Sequence, residues 1–452
     1  MDVNEICSKQ DAESNFIDFK VENSQAIPYT SPMIRAHHIV HIPRRFVVSE
    51  WGGSETFVAE VSTRLVKNNH SVQIYTSKAL DSREEDSYKG VRIRRFSYFY
   101  PYLGLKAGVK DQLDKKAGNL FSFSLMRALL GKKELDLIHL HTGKRMGGIA
   151  RYCAKKRGIP YVISLHGGNL AVPEDERETW VEPTKGKLEW GKLLGYWVGS
   201  REVLADASAI ICVGMDEYTA MTARYPDKYI EYLPNGVDLG RFAQGDGKAF
   251  RAEHSIPQGR FVCLTMARFD VQKNQVGLVR QLPSLLAKNP EIHFLLIGPV
   301  TNRAYRDQVE REAKELQVAD HLTIIEGLPY NGPALVDAYH AADCFVLPSL
   351  HEPFGMVVLE AWASSLPVAV SRRGGLAALI QEGETGLFFD PELGPHEEGG
   401  IASVLKRVAG DPGLQASLGR AGHENAVASY SWDIITGRLE EIYERVYEHS
   451  LH

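Results

Sequence analysis

Beyond residue 36 the chain alternates short apolar, β-rich runs with longer stretches in which apolar residues recur at helical spacing. Residues 37–42, 72–75, 91–95, 137–140, 161–165 and 209–213 form one series of such runs. Between them lie segments such as the one carrying Phe57, Val58, Val61 and Leu65, three to four residues apart. A second series follows at 261–267, 292–297, 322–325, 344–347, 368–370 and 387–389. Strands that are nearly all apolar and alternate with helices predict parallel sheets covered on both faces. Between the two series Pro234-Asn235-Gly236-Val237-Asp238 reads as a turn, and 243–259 is polar and contains glycine. The pattern therefore predicts two doubly wound α/β domains facing a cleft, the place where ligands of such sheets bind. The expected division is a polar arm over 1–34, a first domain over 35–236, a linker over 237–258, a second domain over 259–430 and a terminal helix over 431–452. That helix, with Ile435, Leu439, Ile442 and Val446 at helical spacing, is expected to return to the first domain.

Composition narrows the function. The 452 residues are 44% hydrophobic and 24% charged, as in an ordinary globular chain with room for two or three domains. A formal net charge of −5 offers no global attraction to nucleic acid, so no nucleic-acid partner is expected. The five cysteines (Cys7, Cys153, Cys212, Cys263, Cys344) are scattered and never spaced as a CxxC pair. That argues against a disulfide framework or a thiolate zinc site and fits a reducing compartment. No stretch approaches the ~20 apolar residues needed to span a bilayer, and the start of the chain lacks a basic region followed by an apolar core. A cytoplasmic location is the expectation.

The chemistry concentrates after the strand runs. The run 344–347 leads into Leu350-His351-Glu352-Pro353-Phe354-Gly355-Met356-Val357-Val358-Leu359-Glu360. Pro353 disfavours helix at Glu352, so Glu352 sits on a loop and Glu360 one to two turns into the following helix. Two carboxylates flanking a helix N-terminus can receive hydroxyls beside an anion, and Gly355 permits close approach. Taken alone, such a pair also reads as a helix cap and a solvated helical residue. After the run 261–267 come Arg268 and Lys273, a forked donor and a point charge suited to two phosphates. In the first half, Glu50-Trp51-Gly52-Gly53-Ser54-Glu55 is a glycine turn ahead of a helix, and His166-Gly167-Gly168 follows the run 161–165.

The stretch from Glu352-Pro353-Phe354-Gly355 to Glu360 resembles the glutamate-x7-glutamate motif of the retaining nucleotide-sugar glycosyltransferases of family 4. Those enzymes have the GT-B fold of two Rossmann-like domains. Arg268 and Lys273 look like the family's diphosphate-binding pair, His166 like its active-site histidine, and Gly52-Gly53 like the loop near the donor phosphate. Glu326-Gly327-Leu328 resembles the segment whose backbone receives the nucleobase. The resemblance thus implies catalytic roles for His166, Arg268, Lys273 and Glu352. It implies donor contacts from Gly52, Gly53, Gly327, Leu328, Phe354, Gly355, Met356, Val357 and Glu360. The implied reaction moves a sugar from a nucleotide-sugar, UDP-linked first and GDP-linked second, to an acceptor hydroxyl on a glycan, lipid-linked or small molecule, with retention and with no metal or other cofactor. One departure is Met266, where the family commonly has glycine ahead of the arginine.

Two other functions fit the same architecture: a nucleotide-sugar epimerase and a non-catalytic nucleotide-sugar-binding module. The basic aromatic stretch 91–103 reads as an alternating strand with aromatic packing after it; the alternative is a lip making peripheral contact with a membrane or an extended acceptor.

Overall fold

The structure, a computed structural model, describes residues 35–47, 52–105, 107–115, 118–167 and 184–450. The arm 1–34, Glu50, Trp51, Gly168 and the last two residues lie outside the described residues. Eight strands form the first sheet: β1 (His38–Ile42), β2 (Ser71–Ser77), β3 (Glu85–Tyr88), β4 (Val91–Phe96), β5 (Leu137–Leu140), β6 (Tyr161–Leu165), β7 (Ala209–Cys212) and β8 (Ile230–Tyr232). Their order is β3-β4-β2-β1-β5-β6-β7-β8, parallel except for β3 against β4. Six parallel strands form the second: β9 (Phe261–Met266), β10 (Ile292–Ile297), β11 (Leu322–Ile325), β12 (Cys344–Leu347), β13 (Val368–Ser371) and β14 (Leu387–Phe389), in the order β11-β10-β9-β12-β13-β14.

The two orders locate the ligand edges. In the second sheet the chain runs outward from β9 to β10 on one side and returns to β12 on the other, so the winding reverses between β9 and β12. In the first sheet it reverses between β1 and β5. At such a reversal the loops after the two strands diverge and leave a crevice at the carboxyl ends.

Burial explains the strand texture. β5, β6, β7, β10, β12 and β13 are buried along their whole length, because helices cover both faces. Short β3 and β8 carry no continuous apolar run, which is why the hydrophobic pattern misses them. The helix Gly53–Lys67 buries Phe57, Val58, Val61 and Leu65 in the first domain's core. The terminal helix Trp432–Ser450 lays Ile435, Leu439, Ile442 and Val446 on that same core. Each of these side chains contributes roughly 2 kcal/mol of apolar burial. The two crossings between domains lie side by side: Val237 N–H donates to Tyr430 O (2.7 Å) and Trp432 N–H to Val237 O (3.3 Å).

Residues 237–258 differ from the expected polar linker. They form the helices Leu239–Phe242 and Gly247–Glu253, and Phe242, Phe250 and Ile256 are buried in the second domain's core. Buried Arg251 ties this segment to that domain, donating to Ala341 O (2.7 Å) and to Asp343 (2.8 Å). Glycines that dilute the apolar pattern are the cause: a Cβ on Gly247 would lie 2.0 Å from His340 O, so the polar-looking run is a tightly docked one.

Candidate functional site

On the second domain, β9 and β12 deliver the two loops of the reversal. Asp270 accepts from Gln272 N–H (3.2 Å) and caps the short 3-10 turn Val271–Lys273, after which Asn274 adopts a left-handed conformation with φ 53°. Leu350 N–H donates to Gln272 O (2.8 Å), stitching the β9 loop to the β12 loop. The stitch brings Lys273 to Glu352, with Nζ to Oε2 2.7 Å and both side chains about one-tenth exposed, at 12% and 13%. Arg268 stands beside them, its guanidinium 3.4 Å from Gln272 Oε1 and its Nε buried without a partner. Met266 ends β9 inside the core, and close approach comes from the neighbouring strand's end instead: a Cβ on Gly298 would lie 1.9 Å from Ala267 O.

Glu352 is held from behind by a loop that the sequence reading did not single out. Gly375 N–H donates to Glu352 O (2.8 Å), and Cβ atoms at Gly374 and Gly375 would come within 2.5 Å of Glu352 O and 2.2 Å of Pro353 O. The signal was a glycine pair just past β13, the same kind of signal as Gly52-Gly53.

Gly355, with φ 97°, turns the chain into the helix Met356–Ala363. Phe354 puts its ring in the core under the loop, so its side chain does not line the cleft. Met356 meets the first domain, its sulfur 3.3 Å from where a Gly53 Cβ would stand. Gly167, with φ 80°, abuts Pro353; a Cβ there would lie 2.5 Å from Pro353 Cβ. The structure therefore brings Gly53, His166-Gly167, Pro353, Gly355 and Met356 together across the cleft. Gly52 lies at the N-terminal end of the Gly53–Lys67 helix, its carbonyl accepting from Thr56 Oγ1 (3.0 Å).

Glu360 is buried and accepts a 2.6 Å hydrogen bond from Tyr339 OH. Burial pushes its carboxyl up from the usual range, against the pull of Tyr339 and the Arg241 charge. It lines a cavity of about 550 Å³ with Met356, Arg241, Tyr330 and Glu60. Leu328 and Val357 pack on the same second-domain core, and Gly327, with φ 93°, turns the chain after β11.

His166 sits at the end of a histidine chain. His41 Nδ1 is 2.9 Å from His141 Nε2, and His141 Nδ1 is 3.1 Å from His166 Nε2. His139 Nδ1 bonds the Tyr443 hydroxyl (2.6 Å) and its Nε2 bonds Ser164 Oγ (2.7 Å). Burial lowers all four, His41 to about 3 and His166 to about 4, so the rings are neutral at pH 7. A neutral ring has one N–H, so the chain must run one way. His41 Nε2 is buried without a partner, and an unpaired buried acceptor is tolerated better than an unpaired donor. The proton pattern that follows is His41 Nδ1–H to His141, His141 Nδ1–H to His166, leaving His166 a donor at Nδ1. Among the described residues His41, His139 and His141 are also the one group with metal-ligand atoms mutually within 4.8 Å. A metal there would have to break the hydrogen bonds just described.

Glu217 is a further residue that the sequence reading missed. In the first turn of the helix Met215–Arg224, it accepts the Gly167 N–H at 2.8 Å, and burial raises its carboxyl. It fixes the turn that carries His166. Its signal was a carboxylate opening a helix just after β7.

Against known families, the model "Glycosyltransferase Family 4" matches residues 51–241 and "Glycosyl transferases group 1" matches 246–424. The chain belongs to the family 4 glycosyltransferases. This glycosyltransferase is 28% identical over 409 residues to D-inositol 3-phosphate glycosyltransferase of Streptomyces scabiei, covering 87% of this chain and 86% of the relative. It is 29% identical over 415 residues to the protein of that name in Actinosynnema mirum, covering 87% and 92%. Among solved structures, sucrose-phosphate synthase from Thermosynechococcus elongatus superposes with TM-score 0.67 at 21% identity, covering 91% of this chain and all of that one. Anabaena HepE in complex with UDP and glucose gives 0.66 at 16% identity, covering 90% of this chain and all of that one. The GT-B architecture of two facing Rossmann-like domains is shared with both.

Proposed function

We propose that this glycosyltransferase uses a nucleotide-sugar donor, a UDP-sugar first and a GDP-sugar second, and transfers the sugar to an acceptor hydroxyl with net retention and without a metal ion. The observation that carries the reading is the Lys273–Glu352 pair of 2.7 Å at the sheet reversal, with Arg268 on one side and His166-Gly167 facing Pro353 on the other. Arg268 and Lys273 oppose the charge that grows on the diphosphate as the sugar bond breaks, which stabilises the leaving group electrostatically. Glu352, freed from Lys273 by the arriving phosphate, receives sugar hydroxyls. His166 donates from Nδ1 to the sugar, and the N-terminus of the Gly53–Lys67 helix adds partial positive charge toward the phosphates. Glu360, in the cavity it shares with Arg241 and Tyr330, takes the donor's ribose, and the backbone at Gly327-Leu328 takes the base. The departing phosphate removes the acceptor proton on the same face, which gives retention. Anabaena HepE has been solved in complex with UDP and glucose and with UDP-glucose, which supports a uridine donor on the shared fold. The epimerase and binding-module alternatives gain no support from the family relationship.

The test is release of nucleoside diphosphate from a panel of UDP- and GDP-sugars, with and without a chelator. Release from a UDP-sugar that survives chelation supports the reading. Turnover abolished by chelation and restored by a divalent cation would overturn metal independence, and no turnover of any nucleotide-sugar would overturn the donor.

A further inference from the structure

The strand part of 91–103 packs inward: Val91, Ile93 and Phe96 are buried, and Arg95 is a buried partner of Asp81 (2.9 Å). Tyr98 and Tyr100 both donate to Asp114, at 2.6 and 2.8 Å. The exposed apolar surface is centred on 184–197 and takes in the end of that stretch. There Tyr196 is 88% exposed, Leu193 79%, Leu188 67%, and Trp190 and Trp197 nearly half, with Leu103 beside them. Leu193, Tyr196 and Trp197 stand at i, i+3 and i+4 on one short helix, Lys192–Trp197, so they share a face.

This surface is held rigidly from below. Arg145 Nε donates to Gly191 O (3.0 Å), and the Arg145 guanidinium pairs with Glu189. Trp190 N–H donates to Pro101 O (3.2 Å) and Leu103 N–H to Leu188 O (3.0 Å). Trp190 stacks on Phe99 (5.8 Å, 10°), which stacks on Phe123 (6.0 Å). A loose loop would fold such side chains inward; this one is braced so that they face out.

Charge selects the partner. Lys185, Lys187 and Lys192 lie among these residues and make no ion pair with any described residue. The one acid within 184–197, Glu189, is already neutralised by Arg145. Protein interfaces are depleted in lysine, whereas tryptophan, tyrosine and leucine flanked by lysines are the composition of a surface lying in a lipid headgroup layer. We propose that the face built on 184–197 docks on an anionic phospholipid bilayer. Its supporting segments follow the carboxyl ends of β4, β5 and β6, the edge that carries His166. Docking therefore sets that edge beside the membrane, within reach of an acceptor carried there. The inference does not depend on the donor assignment.

Flotation of the full chain with vesicles of phosphatidylcholine, with and without phosphatidylglycerol, tests it. Wild type should float with the anionic vesicles and be released by high salt, with a blue shift of tryptophan emission on binding. The double variant Leu193→Glu, Tyr196→Glu should lower binding at least ~tenfold, and so should replacing the three lysines by alanine, with melting temperature unchanged. Wild type that stays down with anionic vesicles at low salt overturns the proposal, as does a double variant that floats as well as wild type. A wild-type dimer that does not float, and that the double variant converts to monomer, assigns the face to a second copy and equally overturns it.

Discussion

Lowering the pH should destabilise this protein through its histidine cluster, and the size of the effect can be worked out for His41. That ring is fully buried, and its pKa falls from 6.5 to about 3 because burial penalises the charged form. Above pH 6.5 it is neutral in both folded and unfolded chains and costs nothing. As pH drops below 6.5 the unfolded chain binds a proton that the folded one refuses, so stability is lost down to the folded pKa and then levels off. At pH 5 the loss is 1.5 pH intervals of ~1.4 kcal/mol, or about 2 kcal/mol from His41 alone. His166, lowered to about 4, adds nearly as much at pH 5 and levels off sooner below it, and His139 and His141 act in the same direction. Buried Glu217 and Glu360, whose carboxyls are raised, oppose the trend, since their destabilisation at neutral pH is relieved on protonation. A variant separates these contributions. Urea unfolding followed by tryptophan fluorescence at pH 7 and pH 5 should show wild type losing about 2 kcal/mol more than His41→Leu over that interval. Equal losses in the two proteins would refute the claim that the folded state keeps His41 neutral.

Lys273→Ala should lower kcat roughly a hundredfold and weaken nucleoside diphosphate binding, whereas Glu352→Gln should damage transfer and leave that binding near wild type; calorimetric titration of both separates the roles. Glu217→Ala strands the Gly167 N–H at a cost of about 1–3 kcal/mol and should lower kcat more than it raises donor KM, while Glu217→Gln, which keeps an acceptor oxygen, should restore most of the rate. If alanine and glutamine at 217 are equally impaired, the hydrogen bond to Gly167 is not what matters. Gly167→Ala places a methyl 2.5 Å from Pro353 at φ 80° and should cut turnover roughly a hundredfold by forcing the domains apart, read out as an increased radius of gyration in small-angle scattering.

Much of the fold was legible because burial on both faces leaves continuous apolar runs, and a dozen such runs recur as strands in register. The second-domain site was legible because its residues follow strand ends in sequence: Lys273 after β9 and Glu352 after β12 meet through one backbone hydrogen bond. What stayed hidden depends on neighbours distant in sequence. His41 and His139 read as polar interruptions in apolar strands, and His141 as a residue just past one, until β1, β5 and β6 lie side by side and these rings pack against one another and His166. The segment 237–258 looked like a linker because glycines that allow tight docking also lower apolar content. The exposed 184–197 face was overlooked for the opposite reason. Tryptophan, leucine and tyrosine read as core, and only tertiary structure shows that they point outward.

The central claim, glycosyl transfer from a nucleotide-sugar with retention, is tested most directly by proton NMR of donor hydrolysis with water as the acceptor. With an α-linked UDP-sugar, the account predicts UDP release and the α-anomer of the free sugar appearing first, before mutarotation. Initial formation of the β-anomer would contradict it.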